Sequence, residues 1–230
     1  NNVKFNTRLV DCVGYLIKNS VGHMEGDAPR MVKTPWFEKE VPFEEAAEIG
    51  TKKVIDEHST IGILVTTDGS VTGIDRNDYI EAEERVVKEL KAQNKPFVII
   101  LNTANPMNDD AQRLANEISQ KYDAPVIPLN CANLNMDDIN EILENVLYEF
   151  PINEIDINFP KWVDTLEDSY WLKANLLETI KNNLNDMKNL RQIKSIMQKM
   201  SDGDMIKNVN VDNIFLNTGT VNTNIEMDNN

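Results

Sequence analysis

The sequence predicts an α/β protein with a mostly parallel sheet, followed by a helical α+β segment. Two observations carry that expectation. Over roughly the first 150 residues, short apolar runs alternate with amphipathic stretches of helical period, and the runs end in Asp11, Asp68, Asn102 and Asn130. Beyond residue 162 that alternation stops, and helical spacing dominates to about residue 200. A strand–helix–strand order is the signature of parallel strands joined by crossover helices. Ligands of such sheets bind at the carboxyl ends of the strands, where the four polar residues stand.

Residues 3–10 (VKFNTRLV) read as a strand that becomes continuously apolar, as in a strand buried on both faces. Residues 15–42 are punctuated by Gly and Pro and read as a long irregular segment, of the kind that is often functional. Residues 43–58 have helical spacing, with acids in the first turn and Lys52 and Lys53 nearer the end. A buried strand over 61–67 (IGILVTT) leads into the turn 68–70 (DGS). The spacing then predicts a helix over 77–94, with Tyr79, Ala82, Val86 and Leu90 on its apolar face. A strand over 96–102, a helix over 108–122, a strand over 125–129 and a helix over 136–149 complete the first domain, residues 1–150. Two prolines mark 151–162 as a linker. A second domain, 163–230, opens with a long helical stretch broken near Tyr170–Trp171, whose stripe Leu176, Ile180, Leu184, Met187, Leu190, Ile193 and Met197 reads as core. Its Asn-rich end reads as two short, weakly anchored strands around Gly219.

The net charge is −15 and the pI about 4.5, which disfavours a nucleic acid partner and direct docking on an anionic membrane. Membrane attachment is therefore expected only through a partner. Cys12 and Cys131 lie in apolar contexts with no CxxC or Cys/His cluster, which fits a reduced, cytosolic compartment. The longest apolar runs, 61–65 and 97–101, are far too short to span a bilayer. The chain starts with Asn inside a strand-like run and is read as a fragment.

Asp11-Cys12-Val13-Gly14 fits DxxG after a buried strand. In P-loop nucleotide hydrolases such a carboxylate holds Mg²⁺, usually through a water, and such a glycine lets its N–H approach the γ-phosphate. A strand-end turn with a positive-φ Gly is the competing reading. Asn102-Thr103-Ala104-Asn105 stands where GTPases of this class carry Asn-Lys-x-Asp. The Asn is kept, the Lys is Thr and the base-reading Asp is Asn. An amide cannot accept two hydrogen bonds from guanine as a carboxylate does, so guanine selectivity is weakened and ATP becomes the expected nucleotide. A plain turn before Pro106 is the alternative there. Cys131-Ala132-Asn133 keeps the small pair of the Ser/Cys-Ala-Lys motif, with a buried core thiol as the equal alternative for Cys131. Tyr15 stands where many switch GTPases have a water-positioning Gln. GxxxxGK[ST] occurs nowhere in the chain, so residues 1–230 alone are not expected to hydrolyse ATP at a useful rate. His23, His58 and the acids of 40–48 read as structural or solvated residues, and Trp36 as a packing anchor. The fold these motifs lead one to expect is an incomplete P-loop NTPase domain with a mostly parallel sheet, followed by a helical α+β segment.

RLVDCVGY, residues 29–70 and YIEAEERVVKELKAQNKPF resemble the stage IV sporulation protein A family, whose ATPase domain is similar to translation-factor GTPases, from about residue 5 to about residue 200. The resemblance implies the second half of an ATPase domain and the beginning of a middle domain. It implies ATP and Mg²⁺ as cofactors, with Asp11 as the catalytic, water-linked metal acid, Gly14 at the γ-phosphate, and Asn102, Thr103, Asn105, Cys131 and Ala132 around the base. It also implies hydrolysis-driven self-assembly into the basement layer of the spore coat, on the outer forespore membrane in the mother-cell cytoplasm. The partners it implies are further copies of the protein, a small amphipathic membrane-bound sporulation peptide and another coat morphogenetic protein. A GTPase switch, a non-catalytic scaffold and a receiver-like or flavodoxin-like module are the alternatives.

Overall fold

The computed structural model describes residues 6–185, 187–201, 205–215 and 218–227. The chain divides into two compact units, Asn1–Ile142 and Leu143–Asn230.

In the first unit, two short antiparallel ribbons punctuate the long segment after Gly14: β1 (Met24–Glu25) with β2 (Ala28–Pro29), and β3 (Met31–Val32) with β4 (Val41–Pro42). Helix α1 (Phe43–Lys53) follows and widens into a π-turn at Val54–His58. Trp36 packs on α1 where no side chain intervenes: a Cβ on Gly50 would lie 3.2 Å from its ring.

Next comes the unit β5 (Gly62–Thr67), α2 (Ile80–Ala92), β6 (Phe97–Asn102), α3 (Asp109–Tyr122) and β7 (Val126–Leu129). The three strands form a parallel sheet in the order β5-β6-β7. Phe97, Ile99 and Leu101 on one face of β6 join Val87 and Leu90 of α2 and Ala115, Ile118 and Tyr122 of α3 in one apolar cluster. Val98 and Ile100, on the opposite face, are buried as well, whereas Ile63 and Val65, in register with them on β5, are exposed. Among the described residues no strand pairs with the outer edge of β5. Helix α3 starts at Asn108, whose side chain accepts from the Asp110 N–H at 3.2 Å. Helix α4 (Met136–Tyr148) runs through the boundary between the units.

The expectation of a strand over 3–10 is corrected. Residues 6–10 have no regular structure and are exposed, Leu9 by 79%; residues 3–5 lie outside the described residues. A strand buried on both faces needs neighbours on both edges, and none of the described strands lies beside this one. The face expected for α2 is met at Leu90, which is buried, and at Val86, which packs beside the core, but its buried centre also takes in Glu83 and Val87. Counting apolar residues alone cannot place a carboxylate on a core face.

In the second unit, β8 (Glu154–Asn158), α5 (Lys161–Asp164), α6 (Trp171–Leu184), α7 (Ile193–Ser201), β9 (Ile206–Phe215) and β10 (Thr220–Met227) follow in order. The sheet order is β8-β10-β9, with β8 parallel and β9 antiparallel to β10. The segment expected as a linker thus contains a strand. Pro151 and Pro160 flank β8 rather than interrupt it, so neither removes a ladder N–H. The long helical stretch breaks twice, after Asp164 and after Leu184. Its stripe is core as expected, with Leu176, Ile180, Leu190, Ile193 and Met197 buried and Leu184 and Met187 packed beside them. The two final strands flank Gly219 as expected but are well anchored: Val221, Ile225 and Met227 join the same core. No helix among the described residues is long and apolar enough to cross a membrane.

Leu176→Ala is expected to destabilise the second unit by about 2–5 kcal/mol, because a fully buried side chain is replaced by a cavity. Urea denaturation followed by circular dichroism measures it. In the first unit, Glu83→Ala is expected to cost about 3–5 kcal/mol in the same assay, since it strands the Arg76 guanidinium that Glu83 pairs at 2.7 Å.

Candidate functional site

The parallel register brings the ends of β5, β6 and β7 together. Asp68 follows β5, Asn102 ends β6 and Asn130 follows β7. Each uses its side chain to fix the next turn. The Asn102 Oδ1 accepts the Cys131 N–H at 3.0 Å, joining the end of β6 to the turn after β7. The Asn130 Oδ1 accepts the Ala132 N–H at 3.1 Å and opens a 3₁₀ turn at Cys131–Asn133. The Thr103 N–H donates to the Leu129 carbonyl at 2.9 Å.

Thr103 is 1% exposed, and its hydroxyl donates to the Asp68 Oδ2 at 2.6 Å. The Asp68 Oδ1 accepts from the Ser70 N–H at 2.9 Å and the Ser70 hydroxyl at 2.6 Å. Burial pushes the Asp68 carboxyl up, but the donors from Ser70 and Thr103 outweigh it and hold the group below the usual carboxylate range. Beside this network lies a cleft of about 440 Å³ lined by Asp68, Ser70, Thr103, Asn105, Arg113 and Glu117, among others. The Asn105 side chain, exposed at the cleft, has no hydrogen-bond partner among the described residues.

The loop between β5 and α2 is held from beneath. Arg76 donates to the Thr66 hydroxyl at 3.0 Å and to Glu83 at 2.8 Å, and the Tyr122 hydroxyl donates to Glu83 at 2.8 Å. Burial, then the bond to Glu83, raises the Tyr122 phenol above its ordinary range, so it stays a donor at neutral pH.

Asp11 lies elsewhere, in an exposed segment without regular structure, not at the end of a buried strand. Its Oδ1 accepts the Cys12 N–H at 2.9 Å. Cys12 is exposed, contrary to the apolar context expected for it, and Cys131 is half-buried, with burial raising its thiol. Gly14 has φ +81°, a conformation that suits glycine. Tyr15 is buried; its hydroxyl donates to Glu89, and the Arg85 guanidinium lies 3.8 Å over its ring. Tyr15 thus anchors its segment to α2. The structure therefore brings Asn102, Thr103, Asn105, Cys131 and Ala132 together, and places Asp11 and Gly14 outside the residues lining the cleft. Asp68 and Ser70 were not singled out from the sequence as site residues. The recurrence of polar strand ends, with a Thr in place of the motif's Lys beside one of them, was the available signal.

A carboxylate held below its ordinary pKa stabilises the fold above about pH 4, and that contribution is lost as pH falls through the folded-state pKa. The thermal midpoint of Asp68→Ala is thus expected to lie below wild type at pH 7, with the gap narrowing below about pH 4. Scanning calorimetry across that range checks it.

Two family models match this chain: "Stage IV sporulation protein A, ATPase domain" over residues 1–151, and "Stage IV sporulation protein A, middle domain" over residues 152–230. Stage IV sporulation protein A of Clostridioides difficile (strain 630) is 46% identical over 226 residues, covering 98% of this chain and 46% of that protein. The proteins of the same name from Bacillus subtilis (strain 168) and Bacillus anthracis are each 42% identical, over 93% and 94% of this chain and 44% of their own length. The chain therefore spans less than half the length of these curated relatives. No solved structure matches it. With the two models meeting at residues 151–152 and the relatives aligned along nearly the whole chain, the chain belongs to the stage IV sporulation protein A family.

Proposed function

We propose that this chain supplies the base-recognising side of an ATP-hydrolysing site in a structural protein of sporulation. The observation that carries the reading is the Asn102–Asn105 loop, joined to the Cys131 turn and presenting the unpartnered Asn105 amide to the cleft. A carboxamide has a donor and an acceptor side by side, and so matches the N6 and N7 edge of adenine. A carboxylate matches the two donors of guanine instead. The family's ATPase domain supports the same direction.

Mg²⁺ is commonly held by one or two carboxylates together with waters and substrate phosphates. Asp11 fits that mode, since the Cys12 N–H engages Oδ1 and leaves Oδ2 to accept from a metal-bound water. On this reading Asp11 is the metal-linked acid and Gly14 the γ-phosphate glycine of an incomplete P-loop NTPase fold. The proposal extends to hydrolysis-driven self-assembly into the basement layer of the spore coat in the mother cell. The net charge of −15 supports attachment at the outer forespore membrane through an amphipathic membrane-bound peptide rather than through lipid charge. Contact with a second coat morphogenetic protein belongs to the same proposal.

Calorimetric binding of ATP and GTP to the whole protein that carries this chain tests the base reading; a preference for GTP sinks it. Asn105→Asp is expected to shift the preference toward GTP by about tenfold or more, the worth of one bidentate base contact. In a phosphate-release assay, Asp11→Ala is expected to lower hydrolysis on the order of 10²-fold or more, through loss of metal-assisted charge stabilisation.

A further inference from the structure

We propose that Asp68 is the positioning residue that fixes the adenine-reading loop, acting through the Ser70 and Thr103 hydroxyls; this rests on the nucleotide reading above. Asp68 is not part of DxxG, of the Asn102–Asn105 stretch or of the Cys131 turn. Yet the loop that carries Asn105 is tied to it twice. The Ser70 hydroxyl donates to Asp68 at 2.6 Å and accepts the Ala104 N–H at 2.9 Å. The Thr103 hydroxyl donates to Asp68 at 2.6 Å and accepts the Asn105 N–H at 3.3 Å.

The direction of these bonds follows from chemistry. An ionised carboxylate only accepts, and a hydroxyl has one proton. Each hydroxyl must therefore spend its proton on Asp68 and turn its lone pairs to the backbone N–H of the loop. Asp68 thus orients two acceptors that hold consecutive residues of the loop. The Asn130 amide holds the Ala104 carbonyl at 3.4 Å, so both backbone polar groups of Ala104 are engaged. Thr103 is 1% exposed, so losing Asp68 removes the hydroxyl's acceptor at a buried position. A Lys at position 103 could not play this part, because an ammonium cannot accept a hydrogen bond.

The test uses the whole protein that carries this chain, with ATP, GTP and inorganic tripolyphosphate as probes in Mg²⁺, read by calorimetry. Asp68→Ala and Thr103→Val are expected to weaken ATP about tenfold, equivalent to about 1.4 kcal/mol, and to erode the ATP-over-GTP preference. Tripolyphosphate affinity should stay within about twofold, and Thr103→Ser should restore wild-type behaviour. Circular dichroism monitors folding, and should Asp68→Ala not fold, the Thr103→Val and Thr103→Ser pair decides. Wild-type affinity for ATP and GTP in the folded variants overturns the proposal, and so does an equal loss of ATP and tripolyphosphate. A wild-type protein that binds no purine nucleotide overturns the nucleotide reading itself, and the proposal with it; that failure is recognised because it appears before any substitution.

Discussion

Glu83 is the carboxylate on which the strand-end arrangement of the first unit rests. Its side chain is 2% exposed, and Arg76 meets it at 2.7 Å while itself 17% exposed. Burying such a pair is not in itself a route to stability, because desolvating two charges costs about as much as their attraction returns. What the pair does is choose a conformation. Arg76 leaves the loop after β5, Glu83 sits on α2, Tyr122 reaches in from α3, and Thr66 takes the second guanidinium nitrogen at the end of β5. Four elements thus share one buried polar knot, and an alternative path for the loop would leave a buried charge unpaired. The backbone agrees with that choice. Gly69 has φ +90°, and a Cβ there would lie 2.8 Å from the Ile74 carbonyl, so the loop folds back as only glycine allows.

With the loop placed, Asp68 and Ser70 are delivered to the ends of β5 and β6. The substitution of Thr for the motif's Lys then makes sense in local terms. A lysine at 103 would be a cation beside Asp68; the threonine gives Asp68 a short neutral donor and keeps an acceptor for the Asn105 N–H. The departures from the guanine pattern at 103 and 105 therefore act at different levels. On the proposed reading, one shapes the loop and the other changes what its tip reads.

The sequence was most legible where burial is complete. The β6 run FVIIL is apolar on both faces because both faces are covered, and β5 and β7 follow from their alignment with it. The helical stripe of the second unit was legible for the same reason. Legibility failed where a polar group replaces an apolar one in the core, as Glu83 does on α2, since its partner Arg76 lies seven positions away in a loop. It failed again where strand status depends on a distant neighbour. The apolar character of Leu9 and Val10 does not make a strand without an edge to pair with, while β8 forms from a Pro-flanked polar stretch because β10 lies alongside it. Of the candidate site, the Asn102–Asn105 loop and the Cys131 turn were legible as motif remnants. Their bonding through Asp68 was not, because it joins residues 35 positions apart.

The two halves of the proposed site differ in how much order the described residues provide. The Asn102–Asn105 loop is held by side-chain and backbone bonds from the ends of all three parallel strands. The Asp11 segment is held at Tyr15, where a ring under Arg85 and a hydroxyl on Glu89 fix it to α2, and residues 6–13 before it are exposed. Binding energy is spent wherever order has to be created. On the proposed reading, base recognition draws on a preformed loop, whereas aligning Asp11 with a metal-bound phosphate must draw on the ligand or on structure contributed by the rest of the protein. On that reading, Tyr15 is the fixed end of the segment that carries Asp11 and Gly14. It lies next to Gly14 and is bonded to α2, the helix whose Glu83 fixes the β5 loop, so the γ-phosphate glycine of the proposed site is tethered to the same helix that places Asp68.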